Sequence, residues 1–112
     1  MNSNRRRGEV AAELDGHGYR LCLTLGALAE LESAYAADDL GALVERFASG
    51  RLSARDLIRI VGAGLRGAGN QIGDEQVAMM QAADGVAGFA NIVSELLSVT
   101  FGAKAEEAPP RP

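Results

Sequence analysis

The spacing of apolar residues along this chain changes once, near Leu25. Before that point it alternates. Val10, Ala12 and Leu14 share one side and Glu9, Ala11 and Glu13 the other; further on, Tyr19, Leu21 and Leu23 alternate with Arg20, Cys22 and Thr24. A period of two is what a half-buried strand imposes, because successive side chains leave opposite faces of the pleat. Asp15-Gly16-His17-Gly18 separates the two runs, and its glycines suit a tight turn. The pattern predicts a β-hairpin with one apolar face and a four-residue turn. A lone hairpin is marginal in water, so that face needs a cover, and the nearest stripe in sequence is Leu28, Leu31 and Tyr35.

From Leu25 onward the spacing is helical. Thr24 is placed to cap a first helix carrying Leu28, Leu31 and Tyr35 on one side. Asp38 or Asp39 caps a second, with Leu40, Leu43, Val44 and Phe47 as its apolar stripe and Ser49-Gly50 as its end. Ser53 opens a third. Asp56, at its third position, forms a shorter-armed version of the capping box. Leu57, Ile58, Ile60, Val61 and Leu65 are apolar on more than one face, which predicts the most buried helix of the set. Asp74 is expected to cap a fourth helix, with Val77 and Met80 turned inward and Gly85 or Gly88 breaking it. Phe89, Ile92, Val93, Leu96, Leu97 and Phe101 mark a fifth, ended by Gly102. The reading is α+β, mostly α: an N-terminal β-hairpin packed on about five short helices, one domain over residues 8–102. The basic arm 1–7 and the charged, proline-containing tail 103–112 are expected to be disordered.

Composition adds limits. With no Trp, two Tyr and three Phe, the core must be filled by aliphatic side chains, which suits helix-on-helix packing. The net charge of −4 argues against a nucleic-acid binder, which needs a basic face to displace counterions from phosphates. Cys22 is alone, so it has no disulfide partner in the chain, and a reducing cytoplasm is the expected location. Arg5-Arg6-Arg7 leads into Gly8-Glu9-Val10 rather than the apolar core of a signal peptide. No run approaches the roughly 20 apolar residues of a membrane span.

Candidate chemistry is sparse. His17 sits between glycines with no second imidazole, and reads as a turn residue. Cys22 lies among leucines and reads as a packing residue. Gly62-Ala63-Gly64-Leu65-Arg66-Gly67 fits the G-x-G-x-x-G of a dinucleotide-binding loop, and Asp84 follows at about the ribose-binding distance. Against a nucleotide site, the capping signal at Ser53 starts a helix that runs through the strand such a loop requires, and no βαβ unit follows. Asp38-Asp39 and Glu106-Glu107 suffice as a cap and as tail charge. No catalytic, cofactor-binding or metal-binding set emerges, and the expectation is a protein that is not an enzyme.

Several stretches carry a resemblance. Arg7-Gly8-Glu9-Val10, Leu21 with Leu23 through Glu32, Leu40 through Gly50, Leu52 through Leu57, Gly64 through Gly67, and Leu96 through Gly102 resemble small tail proteins of phage-like gene transfer agents and related tailed phages. The resemblance implies a tail-morphogenesis role in a bacterial host cell. It implies first a tail assembly chaperone that binds the tape-measure protein, and as the alternative a structural tail-tube component. The expectation prefers the chaperone: a small acidic helical domain suits a helix-in-groove contact, while a tube subunit would call for a larger sheet. Leu28, Leu31, Tyr35, Leu43 and Phe47 are the candidate partner-binding residues. The partners implied are the tape-measure protein, the tail-tube protein or further copies of this chain, with neither nucleic acid nor membrane.

Overall fold

The structure is a computed structural model and describes residues 8–102; the arm at 1–7 and the tail at 103–112 lie outside them. Strand β1 (Glu9–Leu14) pairs antiparallel with β2 (His17–Cys22), with Leu14 opposite His17. The turn is therefore Asp15-Gly16 alone, two residues shorter than expected, with His17 and Gly18 already in β2. Both turn residues have positive φ (54° and 78°), the mirror-image turn whose twist matches that of the strands it joins. The register sets Val10 opposite Leu21 and Ala12 opposite Tyr19, so one face collects the apolar residues. Val10, Leu14 and Leu21 are completely buried there.

Five helices follow: α1 (Leu25–Tyr35), α2 (Leu40–Ala48), α3 (Ala54–Gly67), α4 (Asp74–Val77) and α5 (Gly85–Phe101). Helix α3 is the centre, as its two-sided apolar pattern predicts, with Leu57, Ile60, Val61, Ala63 and Leu65 buried. The capping box at its start is fully formed. Ser53 Oγ accepts from the Asp56 N–H at 3.1 Å, and Asp56 Oδ2 accepts from the Ser53 N–H at 2.8 Å. The short Asp arm reaches.

The cover of the hairpin differs from expectation. It comes from α3 and α5, while α1 packs chiefly on α3 and α2 on α1. The glycines of the G-x-G-x-x-G run explain how α3 comes so close. All lie within the helix, which is unbroken from Ala54, so the strand and loop of a dinucleotide fingerprint do not exist here. A Cβ on Gly67 would collide with the Cys22 carbonyl oxygen of β2. One on Gly64 would lie 2.9 Å from Leu96 Cδ1 of α5 and 3.3 Å from Leu21 Cβ. One on Gly62 would strike the Asp74 carboxylate. These glycines are contact points for three other elements.

The remaining helices follow their caps. Thr24 Oγ1 accepts from the Ala27 N–H at 3.2 Å and starts α1; Asp39, rather than Asp38, accepts from the Ala42 N–H at 2.9 Å and starts α2. The fourth helix is where the pattern misleads. It lasts one turn, and Gly73 rather than Asp74 stands at its N-cap, its N–H donating to Gln76 Oε1 at 3.2 Å. The chain beyond is drawn against the hairpin tip. The Asp15 N–H donates to Gln81 O at 2.8 Å, the Gln81 N–H donates to Asp15 Oδ1 at 2.9 Å, and Leu14 bridges Ala82. Neither Gly85 nor Gly88 ends a helix: Gly85 begins α5 and Gly88 lies inside it, against Ala82. Gly102, with φ 95°, terminates α5 as expected.

Candidate functional site

The five candidate partner-binding residues converge, but inward. Leu28, Leu31, Leu43 and Phe47 belong to the buried core and Tyr35 is half-buried against it. The Tyr35 and Phe47 rings meet edge to face with centroids 5.4 Å apart, joining α1 to α2. The large apolar side chains that this helix pair leaves in solvent are others: Leu25, Leu40 and Val44. Leu40 and Val44 are one turn apart on α2, on the edge of the stripe whose centre, Leu43 and Phe47, is covered.

Beneath that pair lies a polar cluster. The Tyr35 hydroxyl donates to Asp56 Oδ1, the Arg46 guanidinium approaches the same oxygen at 3.4 Å, and Oδ2 takes the Ser53 N–H. Asp56 is the one buried charged residue among the described residues. Burial alone would raise its pKa; the hydrogen bonds from Tyr35, Ser53 and Arg46 outweigh that and hold the carboxyl below its ordinary value. Burial and the neighbouring Asp56 carboxylate push the Tyr35 hydroxyl up to about 12. Arg46 and Arg59 flank the Tyr35 ring, with guanidinium carbons 4.7 and 5.1 Å from its centroid. One aromatic thus gathers three charged side chains. In the sequence Asp56 carries the signal of a helix cap and nothing more. Its 21-residue separation from Tyr35 gives no local signal, although a Tyr ending a leucine stripe is a residue whose hydroxyl needs a partner.

A second polar contact closes the other end of α3. Arg66 reaches Glu30 of α1 at 3.1 Å, Asp74 of α4 at 3.0 Å and the Ile72 carbonyl at 2.8 Å. Asn70 Nδ2 donates to the Arg20 and Leu65 carbonyls, tying the chain after α3 to the outer edge of β2.

These arrangements position helices; none sets a nucleophile beside a base. Among the described residues no group of three or more His, Cys, Asp or Glu side chains is placed to hold a metal ion. His17 stacks edge-on against Tyr19 at the hairpin tip, with centroids 6.5 Å apart. Cys22 is half-buried, and burial, with the Glu9 carboxylate, pushes its thiol pKa up, the opposite of what activates a nucleophile. No helix among the described residues is long and apolar enough to cross a membrane.

The sequence pattern of the family described as "Phage tail tube protein, GTA-gp10" matches residues 7–103. The chain belongs to that family. It is therefore a tail protein of the phage and gene-transfer-agent kind, the level at which the resemblance and the family agree. The description names the tail tube, which was the alternative, rather than the assembly chaperone preferred from the sequence. No curated protein and no solved structure matches the chain.

Proposed function

We propose that this protein is a structural component of the tail tube of a phage-like particle, assembled in the host cytoplasm and contacting other tail components and further copies of itself. The observation that carries the reading is the family match across residues 7–103, which spans every described element. The interior supports it. A subunit that stays in a particle has to keep its shape, and α3 is fixed by backbone-close packing at one end and a hydrogen-bonded carboxylate at the other. A tube of this chain would be closed by helix and hairpin surfaces, since the sheet has only two strands.

The chaperone reading keeps one observation in its favour. Helix α2 packs chiefly on α1 and leaves Leu40 and Val44 in solvent, so a tape-measure helix has an apolar edge to meet. If Leu28, Leu31, Tyr35, Leu43 and Phe47 also serve that contact, α2 has to move away from α1 first. Immunogold electron microscopy of finished particles separates the two roles: a tube component is labelled in opened or broken tails, whereas a departed chaperone leaves them bare.

A further inference from the structure

Among the described residues, charges of like sign gather at two places on the surface. Six arginines and no lysine lie within residues 8–102, and four of them, Arg46, Arg51, Arg55 and Arg59, run from the end of α2 through the connecting loop into the start of α3. They form one pole. Arg46 and Arg59 flank the same Tyr35 ring, and Arg55 is one helical turn from Arg59. The acid within this run, Asp56, has its carboxylate turned inward onto Tyr35 and Ser53. Four positive charges against one negative leave the run at +3. Glu45 borders it on α2.

A second pole has the opposite sign. The Leu14–Ala82 bridge and the two Asp15–Gln81 hydrogen bonds bring the hairpin tip to the entry of α5. Three exposed carboxylates, Glu13, Asp15 and Asp84, lie there, −3 among them, and Arg20 borders them on the face of the hairpin that carries Glu13. Glu13, Asp15, Asp84, Arg51 and Arg55 make no ion pair with any other described residue.

Two patches of opposite sign on different elements of one chain, each with charges that no ion pair within the described residues neutralises, are complementary between copies. We propose that the arginine pole at the α2–α3 junction docks on the acidic hairpin tip of a second copy of this chain, head to tail. Such a contact uses two different patches, so it repeats from copy to copy and gives a ring where the rotation closes and a filament where it does not. A nucleic acid is a poorer occupant: the described residues carry 13 carboxylates against six arginines, and that field opposes a phosphate polymer. The inference rests on the tail-tube reading and names the surfaces through which copies meet.

Sedimentation velocity on the full chain tests it. Self-association should be present at about 0.02 M salt and at least tenfold weaker at about 0.5 M, where the screening length falls to a few ångströms. Arg51→Glu with Arg55→Glu should abolish it, as should Glu13→Arg with Asp84→Arg. Neither pair touches the Tyr35 cluster or the Asp15–Gln81 bonds, and unchanged circular dichroism verifies their folding. Mixed in equal amounts, the two variants should associate again, because each reversed pole then meets a complementary one. Salt-indifferent association, variants that associate like the parent, or a mixture that stays monomeric would overturn the proposal. So would an arginine pole that binds a short DNA duplex at the same low salt without self-association. A protein found in the tail yet monomeric at low salt keeps the tube reading and removes this inference alone.

Discussion

The two ends of α3 are held by different physics. At its C-terminal half, Gly64 and Gly67 bring the helix against Leu21, Leu96 and the Cys22 carbonyl, and shape complementarity does the holding. At its N-terminus Asp56 binds α1 through Tyr35 and α2 through Arg46, and hydrogen-bond geometry does it. The first kind of contact is sensitive to volume and indifferent to pH. The second tolerates little change of chemistry and titrates. The hairpin and α5 therefore meet α3 by packing, whereas α1 and α2 add bonds to one buried carboxylate to the core contacts of Leu28, Leu31, Leu43 and Phe47.

Adding a methyl group at the packed end should have the largest effect. In Gly67→Ala the new Cβ meets backbone, which cannot rotate away, so the hairpin must separate from α3; a loss of about 3 kcal/mol or more in urea unfolding is expected. If the variant is as stable as the parent, close backbone approach does not hold this end.

Changing the buried carboxylate comes next. Asp56→Ala strands the Tyr35 hydroxyl and the Ser53 N–H and should cost about 2–3 kcal/mol. The pH dependence sharpens the contrast. The Asp56 carboxyl is held below its ordinary value, so its contribution is complete above about pH 4 and is lost as pH falls through the lowered pKa. Tyr35 gives the opposite limb. Its pKa is raised from 10.0 to about 12, so its contribution is complete below pH 10 and is lost between 10 and 12. Asp56→Asn should flatten the acid limb, and Tyr35→Phe the alkaline one, in unfolding curves measured across pH; Gly67→Ala should leave both slopes in place. Equal slopes in all three variants would remove the distinction drawn between the two ends.

The smallest effect is expected at the Arg66 ion pairs. Glu30 is half-exposed and water screens its charge, so Glu30→Gln should shift stability by less than about 1 kcal/mol, and less still at high salt.

Which parts of this fold were legible in the sequence follows from how local their causes are. The hairpin, Thr24, Ser53, Gly102 and the buried character of α3 are written in neighbouring residues: alternation, caps, a left-handed glycine and a two-sided apolar run. Asp15-Gly16 was also legible as a two-residue turn, but Gly18 offered a second glycine and lengthened the reading. The short α4 was not legible. The bonds between Asp15 and Gln81 that draw the chain away from a helix cross 66 positions. Sequence adjacency likewise suggested α1 as the hairpin's cover, while the glycines of α3, which permit the closer approach, resembled a nucleotide loop. At the candidate site the α1–α2 stripe was found, and its burial follows from a core that needs its leucines. The Asp56 cluster and the two charged poles required the fold, because each joins residues from different elements.

The central claim is that this chain remains in the tail as part of the tube. Quantitative mass spectrometry of purified particles tests it most directly. The account predicts that the chain is present in many copies per particle, in a fixed ratio to the other tail proteins. Its absence from finished particles, while abundant in the cells that produce them, would contradict the account and return the assembly chaperone to first place.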